Sequence, residues 1–241
     1  MAMRVDVGRR RSYTPQLRDT IRGSLFVVAL VGFGACATTR EPTAGPVSPA
    51  LEREARQTAA PGPPLRALFD WRATERDARF SGRGAARIQG PHFARIDLFG
   101  PRGEGVLSAA LVGDDLRIPP DVAPTEVPPV PLLWSVFGVF RPPAGARLVA
   151  TRREDERTTL EYADAGAHWR FEFVAGRLRH AEWRAPDGNR HTVALEGTAE
   201  FGFPAKVVYR DWAAFTELTL TLDEIERVEP FPEETWTPGA P

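Results

Sequence analysis

Lysine is almost missing from this chain. Lys206 is the only one among 31 basic residues, so the other 30 are arginines. A GC-rich coding bias accounts for that, and it carries no functional weight. Cysteine is as scarce: Cys36 stands alone, which excludes intramolecular disulfides and thiolate metal clusters. A basic excess is also absent. Residues 1–35 hold six Arg against two Asp, leaving 25 basic and 30 acidic side chains in the remainder of a chain whose net charge is −1. A nucleic-acid partner would call for the opposite balance. What is present, 42% hydrophobic and 26% charged residues over 241 positions, fits one folded domain. With 23 prolines and 21 glycines, short strands joined by many turns are favoured over a helical bundle.

Catalytic and metal signals are missing too. His92, His168, His180 and His191 show no metal-ligand spacing, so no metal and no cofactor is expected. Asp114, Asp115 and Asp121 could be imagined as paired carboxylates, but an Asp-Asp pair at a hairpin is ordinary turn chemistry. Ser81 lies in Ser-Gly-Arg-Gly, which is not the Gly-x-Ser-x-Gly elbow of hydrolases, and Ser135 has no partner nearby in sequence. The expectation is a protein that is not an enzyme.

The N-terminal region is more informative. Arg4, Arg9, Arg10, Arg11, Arg18 and Arg22 precede an apolar run at residues 24–33, which is shorter than the roughly 20 residues of a spanning helix. That is the layout of a secretory signal. The run ends in Phe33-Gly34-Ala35-Cys36, which resembles the bacterial lipobox, with Phe33 where an aliphatic residue is usual. The resemblance implies cleavage before Cys36 and a lipid anchor on its thiol, holding the protein to the membrane. Ala37 rather than Asp after the cysteine points, by the sorting rules of such lipoproteins, to an outer membrane. Residues 36–64 then read as a Pro- and Ala-rich tether, with a short helix at 49–57 capped by Ser48 and begun by Pro49.

From residue 65 the pattern becomes short alternating segments. Phe69, Trp71 and Ala73 alternate with Asp70, Arg72 and Thr74, the period of a strand wet on one side. Similar segments follow at 78–89, 93–99, 106–112, 116–118, 147–152, 158–163, 169–173, 178–184, 191–196, 205–209 and 218–222. Gly82 and Gly84 share one face of the second and would allow a sharp bend or a close approach. Residues 119–131 hold six prolines in thirteen positions, which no regular ladder survives. The apolar stretch 132–140 is read as a helix buried by the sheet. From 230 the chain reads as a polar tail. The fold class is mainly antiparallel β (α+β), a sheet of about 10–11 strands.

The patches Ser81-Gly82-Arg83-Gly84, Arg95-Ile96-Asp97-Leu98-Phe99-Gly100-Pro101-Arg102-Gly103, Val130-Pro131-Leu132-Leu133-Trp134 with Gly138, and Phe203-Pro204-Ala205 follow in an order that resembles the Lol lipoprotein-localisation superfamily (LolA/LolB-like). Within it the outer-membrane lipoprotein receptors are nearest. The likeness covers residues 69–228. It implies a curved half-barrel sheet around a short apolar helix, at residues 65–229, with an apolar cavity for lipid or lipoprotein acyl chains. It also implies a LolA-like periplasmic carrier as partner, and an outer-membrane lipoprotein facing the periplasm, expected to be a monomer. By alternation, Phe80, Ile96, Leu98, Leu107, Leu111, Leu148, Leu160, Trp169, Phe171, Phe173, Leu218 and Leu220 point inward, joined by Leu133, Trp134 and Phe137 of the helix. Any one of these is also what a packed core contains. In the receptors an exposed leucine on the loop after the third strand helps delivery to the membrane. Here that loop carries Pro101 and Arg102, with Arg102 at the leucine's place, where it could meet lipid phosphates instead. The alternative function is an envelope sensor or assembly scaffold of the same fold whose interior is filled.

Overall fold

The computed structural model describes residues 46–119 and 127–238. The expected leader 1–35, the anchor Cys36, Asp121 and most of the proline-rich stretch lie outside the described residues. The remainder forms one twelve-stranded antiparallel sheet. Its strands are β1 (Leu65–Glu75), β2 (Ala78–Gln89), β3 (Phe93–Phe99), β4 (Gly105–Val112), β5 (Asp115–Arg117), β6 (Arg147–Glu154), β7 (Arg157–Asp164), β8 (Ala167–Val174), β9 (Arg177–Arg184), β10 (Arg190–Glu196), β11 (Lys206–Asp211) and β12 (Thr216–Arg227). The spatial order β5-β4-β3-β2-β1-β12-β11-β10-β9-β8-β7-β6 is two hairpin meanders joined where β1 meets β12. The curved open sheet of the sequence reading is thus present, and each of the twelve alternating segments is a strand, against an expected total of about 10–11.

Alternation built these strands as expected: Leu65, Ala67, Phe69 and Trp71 are buried while Arg66 and Asp70 are exposed. The two glycines of β2 admit aromatic rings rather than a bend alone. A Cβ on Gly84 would overlap the Phe69 ring, and one on Gly82 would overlap the Phe99 carbonyl. Over that bare stretch the Trp71 indole donates to the Arg83 and Phe99 carbonyl oxygens at 3.1 and 3.0 Å. The last strand runs to Arg227 rather than ending near Leu222. A bulge leaves Asp223 without an opposite residue, since Leu222 faces Phe69 and Glu224 faces Leu68. Apolar spacing therefore slips from two to three between Leu222 and Ile225, which hides the second half of the strand.

Antiparallel connectivity sorts the turns onto two ends. The turns at 76–77, 100–104 and 212–215 share one end; those at 90–92, 113–114, 175–176 and 197–205 share the other. The tether reading needs correction from Pro46 onward. Helix α1 (Pro49–Thr58) forms as expected but is not part of a free linker. Its Ala55 and the following Ala59 are buried in the core. Ser48 stands at the N-cap without a side-chain cap; its N–H instead meets the Thr151 hydroxyl at 2.9 Å. The Thr151 N–H donates to the Pro46 carbonyl, so this segment also covers the free edge of β6. The polar tail is likewise no free end. A 3-10 turn (Glu233–Trp236) lays Trp236, 2% exposed, beside Phe93, held by Arg95 and Arg117 donating to the Thr235 and Trp236 carbonyls.

Under that tail lies the Arg95-Ile96-Asp97 patch. Asp97 is buried and accepts from Arg87 at 2.6 Å, Arg95 at 3.0 Å and Ser108 at 2.7 Å, tying β2, β3 and β4 together on the outer face. Removing the carboxylate strands two guanidinium groups that are only partly wet. Asp97→Ala is expected to cost about 2 kcal/mol in urea unfolding. Asp70→Ala, which breaks only an exposed 3.9 Å pair with Arg83, should change stability by less than about 0.5 kcal/mol.

Candidate functional site

The apolar stretch 132–140 does not form one helix. Helix α2 (Val130–Val136) starts two residues earlier, with Pro131 in its first turn where a missing N–H costs nothing. It ends at Val136 because Gly138 turns with φ +74. There the Gly138 N–H meets the Ser135 carbonyl and the Val139 N–H meets the Trp134 carbonyl, the paired bonds of a Schellman stop. The chain then swings Phe140 into the interior, where its N–H donates to the Ala59 carbonyl at 2.9 Å.

That swing divides the inside of the sheet. In one half, Phe140 meets Phe171 and Phe173 edge-to-face at 5.0 and 5.1 Å and Tyr162 at 6.3 Å. Trp169 stacks on Phe171, and Leu160, Phe171 and Phe173 have almost no exposure. In the other half the interior is open. A cavity of about 790 Å³ lies between α2 and strands β1–β5, β11 and β12, lined mostly by aliphatic and small side chains with Trp71, Phe80, Phe137 and Tyr209 among them.

Of the fifteen side chains expected to face a cavity, Phe80, Ile96, Leu98, Leu107, Leu111, Leu133, Phe137, Leu218 and Leu220 line it. The other six do not. Leu160, Trp169, Phe171 and Phe173 belong to the packed half, and Leu148 lies against the same core. Trp134 is wholly buried and donates Nε1–H to the Gly113 carbonyl at 2.9 Å, closing the end at turn 113–114. Pro101 is on the lining, whereas Arg102 is exposed, its backbone N–H held by the Glu104 carboxylate. Sequence reasoning passed over Ala73, Ala94 and Ala109, which also line the space. Their signal was size: inward positions of β1–β4 alternate with alanine, while β7–β9 place Tyr, Trp and Phe there.

The lining is apolar apart from a few groups. Tyr209 reaches it from β11, its hydroxyl 2.7 Å from His191 Nδ1. Burial, with the Asp211 carboxylate behind it, pushes the Tyr209 phenol well above its ordinary range. Burial pulls His191 below the usual imidazole value, against Asp211 and Asp187, which raise it. A neutral imidazole and a neutral phenol therefore share this wall. Arg79, Ser81, Glu104 and Thr216 stand where the cavity opens, at the end carrying turns 76–77, 100–104 and 212–215.

The imagined carboxylate pair is not assembled. Asp114 binds Arg141 at 2.8 and 2.9 Å, a contact that holds its carboxyl below the usual range, and Asp115 binds Arg117. Ser135 donates to the Pro131 carbonyl inside α2. His168 pairs with Glu161, and His92 rests edge-on to Trp134. Among the described residues no three His, Cys, Asp or Glu side chains converge as a metal site, and no helix is long and apolar enough to cross a membrane.

No family model and no curated protein matches this sequence. Solved structures do. A LolA superfamily protein of Nitrosomonas europaea superposes with a TM-score of 0.51 at 16% identity, over 77% of this chain and 94% of that one. A Vibrio parahaemolyticus domain named for outer membrane lipoprotein sorting gives 0.43 at 7% identity, over 76% and 94%. The first of these likenesses shows the fold: this chain is folded like that LolA superfamily protein.

The two halves should answer differently to truncation. Phe171→Ala, which empties a packed aromatic site, is expected to cost about 3–5 kcal/mol. Leu107→Ala, whose side chain already borders empty space, should cost about 1 kcal/mol or less, both read from urea midpoints at constant m-value.

Proposed function

We propose that this protein holds alkyl chains of lipids or of acylated lipoproteins in the open half of its interior, without covalent chemistry. The observation that carries the reading is the apolar space of about 790 Å³ beside a fully packed aromatic half. A sheet that fills one half with interlocking aromatic rings has the means to fill the other, yet alanines and aliphatic side chains make up much of the lining there. If a methylene takes roughly the 30 Å³ share of a liquid water, the space holds on the order of 25 of them, more than one ordinary acyl chain. Each methylene moved out of water contributes about 0.8 kcal/mol. The LolA superfamily fold supports a lipoprotein-sorting context.

In this reading residues 1–35 are a signal peptide, Cys36 carries the lipid anchor, and the folded domain faces the periplasm from the outer membrane, taking cargo from a LolA-like carrier. The protein is a non-enzymatic binder. The aligned Arg102 makes delivery by the β3–β4 loop a different process from that of a leucine-bearing receptor.

The test is quantitative mass spectrometry of lipid extracted into organic solvent from the purified full chain. Non-covalent ligand enters the extract, whereas lipid attached to Cys36 stays on the protein and is read from its intact mass. Near-stoichiometric acyl lipid is expected from the wild type, with a several-fold loss in Ala109→Trp, which fills the space, and no loss in Phe201→Ala outside it. An empty extract from a folded wild-type chain rejects the reading.

A further inference from the structure

Seven large apolar residues are exposed among the described residues, and five of them sit at one end of the sheet: Phe80, Phe99, Val106, Trp212 and Phe215. This is the end where the cavity opens. Phe80 and Val106, each 52% exposed, are part of the cavity lining, so apolar side chains lead from the rim into the interior. The corresponding turns over the packed half, 165–166 and 185–189, carry no large apolar side chain.

The outermost member is Phe215, 75% exposed at the tip of the β11–β12 hairpin. Its backbone has φ +55, a region that suits glycine far better than a bulky residue. The surroundings hold it there. Asp211 Oδ1 accepts from the Ala213 and Ala214 N–H groups at 2.9 and 3.0 Å, and the Phe215 carbonyl accepts from Arg76 N–H on the neighbouring hairpin at 3.3 Å. The hairpin is braced so that a phenyl ring projects into solvent beside the opening.

We propose that this rim, with the Phe215 hairpin as its leading point, docks into the surface of a phospholipid bilayer. Two further observations select a bilayer as the occupant. The charges around the rim are mixed, Arg76 and Arg79 against Glu75 and Asp77, which suits shallow apolar insertion rather than attraction to a charged protein. The chain outside the structure also ends in the right place. The expected anchor Cys36 stands ten residues before Pro46, a length of chain that spans at most about 35 Å. Pro46 is fastened at Thr151, four residues from the end of β6 on the open side. Since Thr151 lies about 13 Å below that end, a lipid on Cys36 leaves enough chain for the rim to meet the same membrane. This inference stands on the rim and does not require that the cavity hold a ligand.

The test uses the full chain with Cys36→Ser, so that a single introduced cysteine carries a nitroxide, in phosphatidylcholine vesicles. One variant is Phe215→Cys; the other is Phe201→Cys at the opposite end. At position 215, collisions with oxygen should exceed those with a water-soluble nickel chelate, with the ratio several-fold above that at 201. Equal access to the chelate at both positions overturns the proposal, as does failure of the chain to float with the vesicles. A dipolar-broadened spectrum at 215, the mark of two tips facing each other, overturns it in favour of a second copy of the chain.

Discussion

Pairing between the first and last strands is the constraint on which the rest of the fold depends. Eleven residues of β1 face β12 in a ladder broken only by the bulge at Asp223. Each meander on either side is assembled from neighbouring hairpins, which close short loops at small entropic cost. Only this ladder must bring together residues some 150 positions apart, and it alone turns two one-sided ribbons into a single curved wall. Phe69 and Trp71 point inward from the middle of it, and their rings lie across the bare backbone of Gly84 and Gly82. The seam is thereby fixed to the strand beyond it as well as to its partner.

Much of that wall was legible because alternation is a local property. The strands at 78–89, 93–99 and 169–173 announced themselves, and so did their inward faces. What failed to show were features set by distant partners. The end of the last strand was masked because a bulge changes the apolar spacing from two residues to three. The region 46–64 looked like a linker because it offers the core little beyond Leu51, Ala55 and Ala59; its hold on the sheet comes largely from backbone bonds to Thr151 and Phe140 that composition does not reveal. The terminal segment looked polar because one tryptophan, Trp236, does most of its burying.

The interior was the least readable part. Twelve inward positions were identified by strand alternation and three from the helix, yet they divide into a lined space and a packed block according to where a single segment crosses. Gly138 decides this. By stopping α2 it aims Phe140 at the aromatic rings of β7 and β8, leaving α2 to shield the opposite side with Leu133, Val136 and Phe137. The packed block supplies close contacts of the kind that dominate stability. The lined space forgoes them. A chain that interlocks its aromatic rings on one side can leave the other open and still fold.

Trp134, anchored to the Gly113 carbonyl, with Arg141 clasping Asp114 beside it, stoppers the far end of the hollow among the described residues. In the proposed reading a guest shaped like a lipid travels tail first and keeps its polar end near the threshold. Exchange would then be replacement at that entrance rather than passage along a conduit.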